Sequence, residues 1–385
     1  MLSYREWKHR RRIARLKETR GTVELDLDAR RATLINGKTR FYLESDRDLP
    51  AYQTYDFAAI ALTLMACEHG QPLRFDYPVS AGMVRTISQL LTIARAKVPW
   101  RFPEIDIDFT NVIATPPPAP DGGIMCQSGG VDSLHIAVKW ARARGYTHAL
   151  NVQGIDFKLD ETESFLGRRT RVAAICDHVG LDLITMRTNL LHRAFPYAYF
   201  GASFLTMCMR FAGEGLAKGG IATDYTDTVG IISLPCTHVA GIDELLSSSH
   251  FPIEEFDHKT CRAEKLAHIH EHAPALMKMV SICHEDRVAG GNCGTCFKCM
   301  RTRLALECAG LDQRLVFDDQ RDPVEFLSDA EFPRREEVEF AISHLFEAAG
   351  MLPDPDRRRR AHEICEKIRA EHYGVRIGGN AEPGG

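Results

Sequence analysis

Apolar and polar positions alternate through Val23, Leu25 and Leu27, and Asn36-Gly37 stands between two strand-like runs where a tight hairpin turn would sit. The spacing predicts a β-hairpin. Helical patterns follow at 56–67 and 80–97, with short strand candidates at 73–77 and 105–109. Residues 21–113 thus read as a small α+β domain behind a basic arm at 1–20. The run Pro116-Pro117-Pro118-Ala119-Pro120 continues neither helix nor sheet, so 114–122 is expected to be a linker at a domain boundary.

Beyond the linker the period changes repeatedly. A short apolar strand at 123–127 precedes Leu134, Ala137, Val138 and Ala141 on one helical face. A strand at 149–152, a helix marked by Val172, Ile175, Cys176 and Val179 and closed by Gly180, and a strand at 181–186 come next. Strand and helix alternate, which predicts a parallel sheet covered on both faces, with ligands beyond the carboxyl ends of its strands. Another helix is expected at 201–218. Residues 313–385 read as a helical extension, with helices at 329–349 and 357–373 before a Gly/Pro tail.

Composition narrows the class. At 385 residues, with 44% apolar and 26% charged positions, the chain has material for a sizeable core. The formal net charge of −4 gives no global basic field for a nucleic-acid backbone, so a small-molecule partner is expected. The apolar run 57–67 is about half the length a membrane helix needs, and no secretory pattern opens the chain. Four of the twelve cysteines crowd between positions 283 and 299, which in a reduced cytoplasm points to a metal.

At the end of the first strand after the linker stands Ser128-Gly129-Gly130-Val131-Asp132-Ser133. Its glycines let backbone approach an anion closely, and the first turn of the following helix directs N–H groups at it. Ser128 and Ser133 add hydroxyl donors. Asp132 would repel phosphates unless a cation intervened, so it is assigned to Mg²⁺. Cys283, Cys293, Cys296 and Cys299 can close a tetrahedral shell around Zn²⁺; an iron–sulfur cluster takes the same four thiolates and stays open. Four protein thiolates leave no position for substrate, so the metal is expected to hold structure.

The segment 128–133 resembles the SGGxDS signature of the PP-loop ATP pyrophosphatase superfamily. Together with the cysteine run and Arg301, it resembles the 7-cyano-7-deazaguanine synthase family across 122–312. The resemblance implies a Rossmann-like doubly wound parallel sheet with a zinc-binding segment, and a PP-loop ATPase domain over 123–312. It implies that ATP is cleaved between its α and β phosphates, that a carboxylate is adenylated, and that ammonia or an amine displaces AMP. Ser128, Gly129, Gly130, Val131, Asp132 and Ser133 would bind the nucleotide, with Ser128, Asp132 and Ser133 catalytic. Arg262 and Lys265 lie in a partial echo of that family's TKAE segment and become candidates for phosphate or substrate contact. Where the family carries its substrate segment, this chain has Thr223-Asp224-Tyr225-Thr226-Asp227-Thr228, which leaves the acceptor open, a protein acceptor included; a homodimer is a separate expectation for its assembly.

Two further functions stay in view: a defence or natural-product component that modifies a protein or metabolite or binds nucleotide without turnover, and sulfur transfer to RNA through Cys176 or Cys208. His192, Asp243, Asp257 and His258 could act as acids or bases but read as surface groups. The histidines at 268, 270 and 272 resemble a metal box, although residues two apart diverge on a helix. Arg357–Arg360 reads as a solvated basic face.

Overall fold

The structure is a computed structural model that describes residues 23–36, 39–97, 102–190, 197–224, 246–283, 291–329 and 338–373. The basic arm, the turn at Gly37, His192 and Asp243 lie outside them. Among the described residues the chain is an α/β protein built on one mixed, mainly parallel eight-stranded sheet.

The first three strands, β1 (Val23–Leu27), β2 (Arg31–Asn36) and β3 (Thr39–Ser45), form an antiparallel meander. Ala32, Leu34, Phe41 and Leu43 are fully buried while their neighbours stay partly exposed, the period-2 signature of a half-buried sheet. Around them lie α1 (Asp56–His69), α2 (Ala81–Lys97) and two small parallel pairs: β4 (Leu73–Phe75) with β6 (Ile107–Phe109), and β5 (Val79–Ser80) with β7 (Val112–Ile113). Helix α1 is buried on every side, as its unbroken apolar run requires.

The remaining strands are β8 (Ile124–Cys126), β9 (His148–Gln153), β10 (Asp182–Thr188), β11 (Gly219–Ala222) and β12 (Ile253–Phe256). All five run parallel, and in chain order their arrangement is 3-2-1-4-5. Successive residues serve opposite faces. Met125 and Ala149 pack beneath α3 (Val131–Trp140) and α4 (Thr162–Val179), whereas Ile124 and Leu150 meet α5 (Tyr197–Ala212), with α1 packed against α5. The expected alternation of strand and helix is present, although α4 begins ten residues before the apolar signal at Val172.

The boundary expected at 114–122 does not separate the sheet. Strand β3 pairs antiparallel with β10, Leu43 opposite Thr188 and Ser45 opposite Met186, and one apolar cluster contains Phe41, Phe57, Ile184 and Phe211. The proline run signals only that local pairing stops; the meander returns to the far edge because β10 would otherwise leave its backbone groups open. Phe41→Ala should therefore destabilise the whole sheet, by about 3–5 kcal/mol. Urea unfolding followed by circular dichroism and by tryptophan fluorescence should show one shared, lowered midpoint. Separated transitions would mean the meander folds on its own.

Four more α-helices follow among the described residues: α6 (Arg262–His272), α7 (Phe297–Cys308) and the pair α8 (Val338–Gly350) and α9 (Pro355–Tyr373). Leu345, Ala348 and Ala349 of α8 pack with Met300 and Leu304 of α7 and with Ala361 and Cys365 of α9. Among the described residues no helix is long and apolar enough to cross a membrane.

Candidate nucleotide site and four-cysteine centre

Strand β8 is central in the parallel order, and its loop opens at the point where the order reverses between β8 and β11. Crevices at such points are where open α/β sheets take ligands. Gln127, buried at the strand's end, organises the turn: its Oε1 accepts from the Gly129 N–H at 2.9 Å and from Ser133 Oγ at 2.7 Å. Ser128 Oγ lies 3.2 Å from Ser133 Oγ. Gly129 has φ +76°, and a Cβ there would meet Val172 Cγ2 at 3.2 Å and Ser281 Cβ at 3.4 Å. Gly130 is the N-cap of α3 and brings no side chain to the helix's first N–H groups, which have no partner within the helix. Ser128, Gly129, Gly130, Val131, Asp132 and Ser133 thus share one strand-to-helix turn. Gln127 was not foreseen; the signal was a polar residue closing an apolar strand.

Asp132 does not face open space. Its two oxygens accept from Arg262 Nη2 at 2.6 Å and Lys265 Nζ at 2.8 Å. A capping box explains why both cations reach it: the Cys261 N–H donates to Glu264 Oε2 and the Glu264 N–H to Cys261 Sγ, so α6 starts with Arg262, and Lys265 follows on the same face. Arg262 Nη2 also donates to Asp224 Oδ1 at 3.0 Å. Asp224, just past β11, accepts from Arg301 Nη1 at 2.7 Å, and His344 Nε2 stands 3.5 Å from its other oxygen. Burial alone would raise both carboxyls, but the cations outweigh it: Arg262 and Lys265 hold Asp132 below the usual range, and Arg301 foremost holds Asp224 well below it. The sequence assigned Asp132 to Mg²⁺; in this state two side-chain cations neutralise it.

His344 is fully buried, and that burial, with Arg301 nearby, pushes it down to about 4 against the pull of Asp224. The imidazole is therefore neutral in the fold at pH 5–6, where the unfolded chain would protonate it. The unfolded state then binds more protons, and stability falls as pH falls from about 6.5 to 4, by about 3 kcal/mol. Asp132 and Asp224, with lowered values, keep their contribution across that window and lose it only below. Urea midpoints measured from pH 7 to pH 4.5 should fall steeply, and less steeply in His344→Gln. Identical slopes would remove His344 as the cause.

The second centre is the cysteine run. The Sγ atoms of Cys283, Cys293, Cys296 and Cys299 all lie within 4.8 Å of one another, three of the pairs at 3.4–3.9 Å. A tetrahedral zinc with bonds of about 2.3 Å has sulfur–sulfur edges of about 3.8 Å, so the four thiols fit such an ion. Backbone donors support thiolate charge: the Cys293 N–H points at Cys283 Sγ at 3.0 Å and the Cys296 N–H at Cys293 Sγ at 3.3 Å. Gly294, at φ +75°, makes the turn between them, where a Cβ would strike Arg303 Nη2 at 2.6 Å. Arg303 is itself buried, donating to the Gly294 carbonyl and to Gln313.

The two centres are joined. The Ser281 N–H donates to the Gly129 carbonyl at 2.8 Å, two residues before Cys283, and Arg168 donates to the Cys283 carbonyl. On the other side α7 carries Cys299, then Arg301 on Asp224 and Thr302, whose Oγ1 accepts from Arg262 at 3.3 Å. The four-thiol cluster thus anchors both the glycine loop and the charged network.

Other candidates move. Asp257 is not a surface group: its side chain is 6% exposed, its backbone is left-handed (φ 64°), and its carboxylate takes the Trp140 indole N–H, Lys139 and His135. It clamps α3 to the end of β12. The ring of His268 packs edge-on against His135 and stacks on His272, and among the described residues the only metal-like cluster is the four cysteines. Arg357 pairs with Glu307 and Asp322 and so ties α9 to α7. Cys176 and Cys208 are buried, which pushes their thiols up, Cys176 to about 12. Neither is a ready nucleophile. Comparison with models of known families, with curated proteins and with solved structures finds no match for this chain.

Proposed function

We propose that the chain is an ATP-dependent, AMP-forming ligase of the PP-loop type on a Rossmann-like sheet, which adenylates a carboxylate and couples it to ammonia or an amine. One observation carries this: the Ser128–Ser133 turn opens at the reversal of the parallel strand order, with Arg262 and Lys265 converging on its aspartate. The β and γ phosphates would lie on the Gly129–Ser133 backbone and the Ser128 and Ser133 hydroxyls. Arg262 and Lys265, now spent on Asp132, would turn to phosphate oxygens as Asp132 turns to Mg²⁺, which when bound neutralises phosphate charge. Each group then exchanges one opposite charge for another, so the buried charges stay compensated throughout. Zinc at Cys283, Cys293, Cys296 and Cys299 would hold the loop's support in place. An in-line attack on the α-phosphate needs little covalent help from the protein, and positioning with charge neutralisation supplies most of the acceleration.

Incubation with ATP, Mg²⁺, ammonia and a panel of small carboxylic acids should release AMP and pyrophosphate. Release of ADP and orthophosphate would reject the chemistry. Nucleotide binding without turnover is favoured by one fact, the saturation of Asp132 by two cations; ATP binding with no AMP formed from any acid would support it.

A further inference from the structure

The charged network does not end at Asp224. Helix α8 belongs to the C-terminal extension, beyond both sequence motifs, yet it places two polar side chains one turn apart on that network. His344 stands 3.5 Å from Asp224 through Nε2 and 3.9 Å from Glu347 Oε2 through Nδ1, and Glu347 Oε2 lies 3.7 Å from Arg301 Nη2. Charges alternate from Glu347 through Arg301, Asp224 and Arg262 to Asp132, each adjacent pair within 4 Å. Side-chain exposure is 13% at Glu347, 4% at Arg301 and 0% at His344. Attachment of α8 to α7 does not need this chain, because Leu345, Ala348 and Ala349 already pack on Met300 and Leu304. Buried ion pairs are a costly way to hold two helices together that apolar side chains hold well. Their other effect is geometric: Arg301 shared between Glu347 and Asp224 sets how firmly Asp224 holds Arg262, and Arg262 is the cation on Asp132.

We propose that α8 is a wall of the nucleotide site, with His344 and Glu347 as positioning residues that hold Asp224 and Arg301 so that Arg262 is aimed at the glycine loop. This rests on the nucleotide-binding function proposed above. With Glu347 neutral, Arg301 belongs wholly to Asp224, and Asp224 loosens its grip on Arg262. His344 packs against the outer oxygen of Asp224 at 3.5 Å while adding no charge of its own at neutral pH.

The test is calorimetric titration of the full-length, metal-loaded protein with Mg²⁺ and the non-hydrolysable analogue α,β-methylene-ATP. Glu347→Gln and His344→Gln should each weaken binding about tenfold, with circular dichroism spectra like the parent's. Glu363→Gln, on the exposed face of α9, should leave binding unchanged. The decisive readout is a double-mutant cycle: the loss from Glu347→Gln should largely vanish in an Arg262→Gln background, because α8 acts through that guanidinium. Parent-like binding in both α8 variants, or losses that simply add to that of Arg262→Gln, would overturn the role of α8 and leave the nucleotide site standing. Absence of binding by the parent protein would instead sink the nucleotide site and this proposal with it. Should one α8 variant fail to fold, the other carries the same comparison.

Discussion

Cys299→Ser should cost the protein its bound metal and lower its unfolding free energy by more than any single core truncation. Cys299 is fully buried, its sulfur 3.4 Å from Cys283 and 3.9 Å from Cys293, so a serine oxygen, shorter and harder, cannot complete the shell. Structural four-ligand zinc sites bind with apparent free energies of about 10 kcal/mol or more in small peptides, and much of that is folding energy. Here the affected stretch runs from Ser281, bonded to the glycine loop, to Arg301, bonded to Asp224. The variant should therefore lose two things at once: metal content, read by elemental mass spectrometry, and order in the loop, read as faster amide exchange at Gly129–Ser133. Chelation of the parent protein should reproduce both. Full metal content in Cys299→Ser, with an unchanged urea midpoint, would show that the four thiols are not a metal shell.

Asp132 tests the chemistry, and the structure changes which substitution does so cleanly. Removing its carboxylate leaves Lys265, at 2% side-chain exposure, without a counterion and with only the Thr223 carbonyl to accept from it, beside an Arg262 that keeps Asp224 alone. Breaking a buried pair in this way costs roughly 3–5 kcal/mol, so Asp132→Ala should weaken the fold as well as the function. Asp132→Asn keeps the shape and loses the charge. The AMP-forming activity proposed above should fall by about a hundredfold to a thousandfold, the usual effect of removing one electrostatic stabiliser. Adding Lys265→Met removes the orphaned cation; the double variant Asp132→Asn/Lys265→Met should recover stability without recovering activity. Recovery of both together would make Asp132 a structural residue only. Stability read by urea unfolding and turnover read by AMP release separate the two cases.

Much of this was legible locally. The turn at 128–133 announces itself because glycine, serine and aspartate each do a different job there, and the thiol cluster because its spacing suits one ion. The apolar run at 57–67 foretold a helix, and the structure shows that helix buried on every side. Other features gave weaker signals. Asp257 looked like a surface acid because it stands in the polar run Asp257-His258-Lys259; its partners, His135, Lys139 and Trp140, come from a helix more than a hundred residues earlier. His344 sits among apolar residues of α8 and carries no pattern that would mark it as a neighbour of Asp224.

By itself, then, the amino-acid order determined where strands and helices form, where backbone can approach an anion, and which thiols can meet around a metal. Each of these depends on contacts within a short stretch of chain, at most the 16 residues from Cys283 to Cys299 in the thiol cluster, or on the intrinsic freedom of glycine and proline. Only the tertiary structure decided that the meander closes the edge of the main sheet, that Asp132 is neutralised by two cations from α6, and that α8 reaches the same network. Strand order and charge pairing over such separations follow from which apolar faces pack together and which buried charges must then find partners, a collective outcome that no local pattern encodes.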